Sequence, residues 1–211
     1  LYSSLSLHYI EVKNTLIYGT TGGPAIYVDN VGDNSTIINC TIANNEIGLD
    51  ASDKVYNVKN SIIYNNTTNL KNYDFVAAEY SNIEGSLSGT GNINSDPFFV
   101  NVSDGDYSLK NYSPAIGTGT SSGAPTTDIT GVPNSRPSPS GTNPDMGAYE
   151  NSLGSPTIGV TNVTSTTDNG SYKSGDVIAI TVTFSEAVTV IGTPQLTLET
   201  GSSDAVVNYT S

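Results

Sequence analysis

Positive charge is scarce in this chain of 211 residues, where 7 lysines and arginines stand against 20 aspartates and glutamates, for a net charge of −13. Nucleic-acid binding needs clustered basic residues that displace counterions from phosphates, so a nucleic acid is excluded as a partner. An anionic membrane surface is unfavourable for the same reason. Long apolar runs are also missing, and we expect no membrane insertion in this segment.

Tryptophan is absent, and cysteine, histidine and arginine each occur once. The single cysteine, Cys40, excludes an internal disulfide framework and is interpreted as a small buried side chain. With His8 as the only histidine, neither a Ser-His-Asp triad nor a multi-histidine zinc site can be assembled. An acidic surface that is poor in lysine and rich in threonine and asparagine is typical of secreted proteins, so we predict an extracellular or cell-surface location.

Glycine, proline, asparagine, serine and threonine are abundant, and short strand-like patterns recur roughly every 20 to 26 residues. Three of them superimpose: 12–16 (VKNTL), 38–42 (INCTI) and 58–62 (VKNSI). Apolar residues two apart at a fixed period predict stacked strand repeats that share one core. The first, third and fifth residues of each pattern are expected inside. This alignment places Asn14, Cys40 and Asn60 in one structural column.

Turn residues and second strands follow each pattern. Gly19, Asn45 and Asn65 align in one turn column, where asparagine tolerates a left-handed backbone and its amide can bond to the next repeat. The second strands, 26–29 and 47–50, place Asp29 and Asp50 side by side on the outer surface.

Carboxylates at this spacing are the first candidate for chemistry. Adjacent strands lie about 4.8 Å apart, at or below the separation that a glycosidase needs between its two carboxylates. Like charges this close repel unless they are solvated or bridged, so a calcium ion between Asp29 and Asp50 is the alternative to plain solvation. Asp168, in 168–170 (DNG), is a further calcium candidate beside its favoured interpretation as a tight turn. We expect no other cofactor.

The repeat period is lost from residue 86 to residue 150, where glycine, serine and proline dominate. The only arginine, Arg136, lies between serine and proline, and we interpret it as a clamp for carboxylates such as Asp128 or Asp145. The motifs of this region are 80–85 (YSNIEG), 96–99 (DPFF), 106–109 (DYSL), 113–116 (SPAI), 136–137 (RP) and 145–150 (DMGAYE).

These motifs resemble the end of a right-handed parallel β-helix of the choice-of-anchor Q type, a pectate-lyase-like architecture of exported bacterial proteins. The resemblance covers about the first 150 residues. It implies β-helix repeats over residues 1–85 and a terminal coil or cap over residues 86–150.

A second unit follows a short linker, residues 151–156. Alternating apolar residues predict five strands, at 157–165, 177–184, 188–191, 195–199 and 205–209. The stretch 167–201 resembles the immunoglobulin-like repeats of giant bacterial adhesins. Since such a sandwich normally has about seven strands, residues 157–211 are expected to form a partial one.

The fold class predicted from the sequence is therefore all-β: the end of a right-handed parallel β-helix plus a partial immunoglobulin-like sandwich. The two resemblances imply a non-catalytic segment of a large secreted or cell-surface protein that acts in adhesion, extracellular structure or filament assembly. Its expected partners are other subunits or further domains of the same protein. The alternative is a polysaccharide lyase or hydrolase, or a carbohydrate-binding protein, whose active repeats lie upstream. Outward tyrosines such as Tyr27 and Tyr64 are candidates for stacking on sugar rings.

Overall fold

Strands account for nearly all regular structure in the computed structural model, which describes residues 9–27, 35–51, 56–200 and 203–210. The all-β class predicted from the sequence is confirmed for these residues. The chain divides into two compact units, Leu1–Thr157 and Ile158–Ser211. The strands of the first unit are β1 (Glu11–Lys13), β2 (Leu16–Tyr18), β3 (Pro24–Tyr27), β4 (Ser35–Ile38), β5 (Thr41–Ala43), β6 (Ile47–Asp50), β7 (Tyr56–Lys59), β8 (Ile62–Tyr64), β9 (Thr68–Lys71), β10 (Val76–Glu79), β11 (Asn82–Ile83), β12 (Phe99–Asn101) and β13 (Asp106–Leu109).

The first eleven strands form three parallel sheets. Their orders are β1-β4-β7-β10 in the first sheet, β2-β5-β8-β11 in the second and β3-β6-β9 in the third. Each pass of the chain therefore adds one strand to each sheet in turn. We call these passes repeat 1 (β1 to β3), repeat 2 (β4 to β6), repeat 3 (β7 to β9) and repeat 4 (β10 and β11).

Like side chains stack on like across the repeats, because parallel pairing keeps equivalent positions side by side. In the second sheet this produces a column of four isoleucines, which are Ile17, Ile42, Ile63 and Ile83. The first and third sheets contribute the columns Val12, Ile37, Val58 and Ala78, and Ile26, Leu49 and Leu70. All three columns pack into one apolar cluster. Each fully buried side chain of this size stabilises the fold by about 1.5–3 kcal/mol.

Two columns of left-handed residues turn the chain between sheets. Asn14, Asn39 and Asn60 lie between the first and second sheets, with φ of 47°, 51° and 50°. Gly19, Asn44 and Asn65 follow the second-sheet strands, with φ of 71°, 56° and 54°. Asparagine adopts this conformation at lower cost than other side chains apart from glycine, which accounts for its recurrence at these corners.

The register of repeat 2 differs by one residue from the sequence alignment. Lys13 pairs with Ile38 and Ile38 with Lys59, so the residue that aligns with Asn14 and Asn60 is Asn39. Cys40 lies one position later, beside Thr15 and Ser61. Because Ile37 and Ile38 are both apolar, alternation fits either register, and the left-handed asparagine decides between them.

The predicted inner set is therefore wrong in part. Val12, Val58 and Ile42 do belong to the main apolar cluster, and so does Cys40. The corner asparagines, Asn14, Asn39 and Asn60, interrupt the straight strand that the alternation assumed. After each corner the inward position moves by one residue, and Ile62 packs into a second cluster on the other face of its sheet.

The predicted turn column is also shifted by one residue, since Gly19 bonds through its N–H to the carbonyl of Asn44 rather than aligning with Asn45. An amide ladder does run along the repeats at the next position. The side-chain oxygen of Asn45 accepts the N–H of Thr20 at 2.9 Å, and the side chain of Asn45 donates to Asn66 Oδ1 at 2.9 Å.

The predicted neighbour of Asp50 is wrong as well. In the third sheet Asp50 pairs with Tyr27 on one side and Lys71 on the other. The sequence alignment matched Ile26 to Ile47, whereas the structure pairs Ile26 with Leu49. Leu49 is the residue of its strand that faces the core, as Ile26 does in the preceding repeat. Asp29 lies outside the described residues. Asp50 itself is buried, at 5% exposure, rather than outward and solvated.

The closing segment, residues 84–157, packs back over the repeats. Strands β12 and β13 form an antiparallel pair. Leu109, Ala115, Ile116 and Met146 pack against Ile62 in the second apolar cluster. The fit is close at Gly147, whose φ is +97° and where a Cβ would come within 2.9 Å of Ile62 Cδ1. This segment therefore covers the outer face of the second sheet.

The second unit contains two antiparallel pairs, β14 (Val160–Ser165) with β15 (Ile180–Phe184), and β16 (Gln195–Leu198) with β17 (Ala205–Asn208). The third of the five predicted strands, 188–191, is not a strand. None of the described residues of this unit is buried, and Val177 and Ile191 are 85% and 89% exposed. Alternation over four residues is a weak signal where no partner strand covers it.

Candidate functional site

Two places in the first unit bring polar side chains together. One is a buried ion cluster in the closing segment, around Arg136. The other is a cleft on the third sheet, around Asp50. Each contains residues that the sequence singled out, and their surroundings decide what each can do.

Arg136 is held entirely inside the closing segment. Its side chain has 0% exposure and pairs with Glu150 Oε2 at 3.3 Å, and the side chain of Glu150 is only 2% exposed. The guanidinium donates to the carbonyl oxygens of Asp145 at 3.0 Å and Ala148 at 2.9 Å. Burial lowers the pKa of Arg136, and the neighbouring carboxylates, Glu150 first, oppose that change. The arginine therefore ties together the last turns of the segment.

Asp145 supplies a second buried carboxylate, with 0% exposure. Its Oδ1 accepts the N–H of Gly117 at 2.8 Å, and its Oδ2 accepts the N–H of Asn151 at 2.6 Å. Burial, and then the charge of Glu150, raise the pKa of Asp145 to about 7. Burial likewise raises the pKa of Glu150, against the attraction of Arg136.

Asp128 organises a turn rather than binding the arginine directly. Its Oδ1 accepts the N–H and the hydroxyl of Thr130, at 2.8 and 2.6 Å, and its Oδ2 accepts the N–H of Glu150 at 3.2 Å. The sequence named Asp128 and Asp145 as carboxylates for the clamp. The carboxylate that pairs with Arg136 is instead that of Glu150, the last residue of the motif 145–150. The sequence pattern did not single out Glu150.

The corner asparagines connect this segment to the repeats. They lie between the first two sheets, where their left-handed backbone brings their side chains to the closing segment. The contacts run from Asn14 Nδ2 to Thr127 O at 2.7 Å, from Asn39 Nδ2 to Asp145 O at 3.1 Å, and from Asn60 Nδ2 to Thr120 O at 2.7 Å. Asn60 Oδ1 also accepts the N–H of Thr120, at 2.8 Å. Asn60 Nδ2 also donates to Asn39 Oδ1 at 3.2 Å, so this column links neighbouring repeats and holds the closing segment in place.

Cys40 takes part in the same packing from the inner side. It is fully buried, and burial raises the pKa of its thiol to about 11. Its Sγ contacts the carbonyl oxygens of Val12 and Ile38 at 3.4 and 3.3 Å. Ser61, in the same column, makes the equivalent bond to Lys59 at 2.9 Å. Such a thiol is a weak nucleophile, since only the thiolate reacts.

The cleft on the third sheet is lined by Pro24, Tyr27, Asp50, Lys71 and Asn72 and has a volume of about 390 Å³. Lys71 Nζ lies 2.9 Å from Asp50 Oδ2, and Asn72 Nδ2 donates to Asp50 Oδ1 at 2.7 Å. The ring of Tyr27 is half exposed. The cleft therefore combines an aromatic face with a neutralised ion pair.

These contacts bear on the calcium candidates. The ammonium of Lys71 occupies the place beside Asp50 where a cation would bind. Asp168 lies in an exposed turn of the second unit, where its carbonyl accepts the hydroxyl of Tyr172. Within the described ranges, no group of three histidine, cysteine or acidic side chains could hold a metal ion. His8 lies outside those ranges.

Two further lysines of the repeats, Lys13 and Lys59, form pairs at the surface. Lys13 lies 2.8 Å from Glu11, and Lys59 lies 2.6 Å from Glu79. Exposed pairs of this kind contribute roughly 0–1 kcal/mol each.

No helix among the residues described here has the length and apolar character to cross a membrane. Comparison of the chain with protein-family models, with curated proteins and with solved structures finds no match.

Proposed function

We propose that the first unit is the closing part of a right-handed parallel β-helix and serves as a non-catalytic structural element of a secreted or cell-surface protein. The second unit would be a partial immunoglobulin-like repeat that serves as a spacer or anchor. Adhesion, extracellular structure or filament assembly is the work that such a combination performs.

The observation that carries this proposal is how the charged groups are used. The only arginine is inside the closing segment, with its partner carboxylate 2% exposed. Asp145, whose raised pKa would suit a general acid, has 0% exposure and bonds to backbone N–H groups through both oxygens. A substrate has no access to either group. The perturbed pKa values thus belong to a structural ion network, which is a known alternative to catalysis.

Stacking supports the structural role. Three sheets with equivalent residues in register form a regular wall whose stability grows with each added repeat. The closing segment then covers the outer face of the second sheet with its own apolar cluster. Covering exposed sheet surface is a general means of preventing unwanted association.

Incubation of the purified chain with pectin and alginate tests the non-catalytic role. The expected result is that no unsaturated or reducing ends form and that the chain elutes as a monomer in size-exclusion chromatography. Formation of product by this chain would contradict the proposal. Product formed only by a longer form of the protein would favour the alternative, in which a lyase or hydrolase site lies upstream.

A further inference from the structure

The cleft around Asp50 has three side chains of different chemistry in one row. Tyr27, Asp50 and Lys71 are register partners on three adjacent strands of the third sheet. At about 4.8 Å between strands, the row spans roughly 10 Å. Pro24 and Asn72 complete the lining of this cleft of about 390 Å³. These dimensions suit one or two sugar rings.

The aromatic end of the row is available to a ligand. Tyr27 is 50% exposed although it belongs to a strand whose neighbour, Ile26, is buried in the core. A half-exposed ring beside a cleft offers a flat apolar face with a hydroxyl at its rim. Such rings bury a large area at low conformational cost when a ligand covers them.

The polar end presents donors and acceptors without net charge. Asp50 and Lys71 neutralise each other at 2.9 Å, and Asn72 holds the second carboxylate oxygen at 2.7 Å. Asp50 is 7% exposed at its side chain while Lys71 is 52% exposed. The ammonium of Lys71 and the amide of Asn72 each have further N–H donors, so both can bond to a ligand hydroxyl while they keep their bonds to the buried carboxylate.

From this arrangement we propose that the cleft formed by Pro24, Tyr27, Asp50, Lys71 and Asn72 binds a neutral saccharide. The ring of Tyr27 stacks on the C–H face of the sugar, and the hydroxyl groups bond to Lys71 and Asn72. A free cation is disfavoured because Lys71 already neutralises Asp50. An acidic sugar is disfavoured because the chain carries a net charge of −13 and this lysine is already paired.

Sugar binding would add a ligand to the structural role proposed above and does not depend on it. Isothermal titration calorimetry of the whole chain tests it with cellohexaose, xylohexaose, mannohexaose and chitohexaose as neutral probes. Hexagalacturonate and calcium chloride are the charged probes. The expected result is saturable binding of at least one neutral probe and none of either charged probe.

Variants distinguish the cleft from other surfaces. Tyr27→Ala should weaken binding by roughly tenfold or more, the factor that corresponds to about 1.4 kcal/mol of lost contact. Asn72→Ala should weaken it less. Tyr73→Ala is the matched control, because Tyr73 is 59% exposed but does not line this cleft. It should leave the affinity unchanged.

Circular dichroism of Tyr27→Ala is the check on folding, and because Tyr27 is half exposed the spectrum should match that of the parent chain. The proposal is overturned if no neutral probe binds, if Tyr27→Ala binds as tightly as the parent chain, or if hexagalacturonate or calcium binds in preference. These outcomes leave the structural role untouched, because the test of that role measures polymer cleavage and oligomeric state.

Discussion

Replacing Arg136 by methionine tests the role of the buried ion cluster. Methionine keeps most of the apolar volume but leaves Glu150, which is 2% exposed, without its cation. Removing one partner of a buried pair costs about 3–5 kcal/mol, because a buried charge is left uncompensated. The carbonyl oxygens of Asp145 and Ala148 each lose one of their two donors and keep the other, from Asn39 and Ile129. We expect Arg136→Met to lower the free energy of unfolding of the first unit by at least 3 kcal/mol.

The single cysteine provides the assay. Cys40 is fully buried in the main cluster, so its reaction with a disulfide reagent requires the structure to open. Under native conditions the labelling rate then reports the free energy of opening. A loss of about 3 kcal/mol corresponds to more than a hundredfold faster labelling. Urea unfolding followed by tyrosine fluorescence gives the equilibrium value for comparison.

Two variants serve as controls for the arginine. Lys59→Met removes a partly exposed ion pair at the surface and should cost at most about 1 kcal/mol. Arg136→Met combined with Glu150→Gln should recover part of the loss, since the uncompensated charge is gone. The reasoning is refuted if Arg136→Met lowers the free energy of unfolding no more than Lys59→Met does. It is also refuted if the double variant loses more free energy of unfolding than Arg136→Met and Glu150→Gln lose when their separate losses are added.

Three further predictions follow from the closing segment and the repeats. First, because the pKa of Asp145 is raised from 3.8 to about 7 in the folded state, the folded protein holds this proton more tightly than the unfolded chain. Its stabilising effect is complete below about pH 4 and is lost as the pH rises towards 7, a difference on the order of 4 kcal/mol. Asp145→Asn should flatten this decline in urea midpoints measured from pH 4 to pH 8, and an equally steep decline in the variant would contradict the assignment. Second, Asn60→Ala should cost about 2–4 kcal/mol, and Asn60→Gly less by about 1 kcal/mol, because glycine keeps the left-handed corner while both lose the bonds to Thr120. Equal losses in thermal unfolding would show that backbone strain has no part. Third, Cys40→Ser should change stability by less than about 1 kcal/mol, because Thr15 and Ser61 occupy the same column, whereas Cys40→Asn should cost about 3 kcal/mol or more by burying an amide in the cluster. An asparagine tolerated at this position would favour the register that the sequence alone suggested.

Periodicity was the part of the fold that the sequence could predict. Alternating apolar residues and recurrent asparagines indicate strands that stack, and the structure contains three parallel sheets with those residues in columns. The register was not predictable from apolar residues alone. Repeat spacing varies from 25 residues, between Glu11 and Thr36, to 20 residues, between Tyr56 and Val76. Neighbouring isoleucines at 37 and 38 fit either alignment.

For the site residues, likewise, the residue types could be picked out from the sequence but their partners could not. A single arginine in a proline-rich stretch indicates a carboxylate partner, but several acids are near in sequence, and only packing selects Glu150. Asp50 was recognised as a charged residue on a strand. Its neighbours depend on the register of the third sheet. The sequence alignment placed Asp29 beside Asp50, whereas the structure pairs Asp50 with Tyr27 and Lys71. Long-range register is decided by many contacts together, and a single repeat does not encode it.

A disulfide cross-link between adjacent repeats tests the stacked register most directly. Thr36 and Asn57 are register partners in the first sheet, and neighbouring strands place Cα atoms about 4.8 Å apart, within disulfide range. In a Cys40→Ser background, Thr36→Cys with Asn57→Cys should oxidise within one chain without changing the circular dichroism. Thr36→Cys with Lys59→Cys, two residues out of register, should not. Failure of the first pair to cross-link, or equally fast cross-linking of the second, would contradict the stacked arrangement.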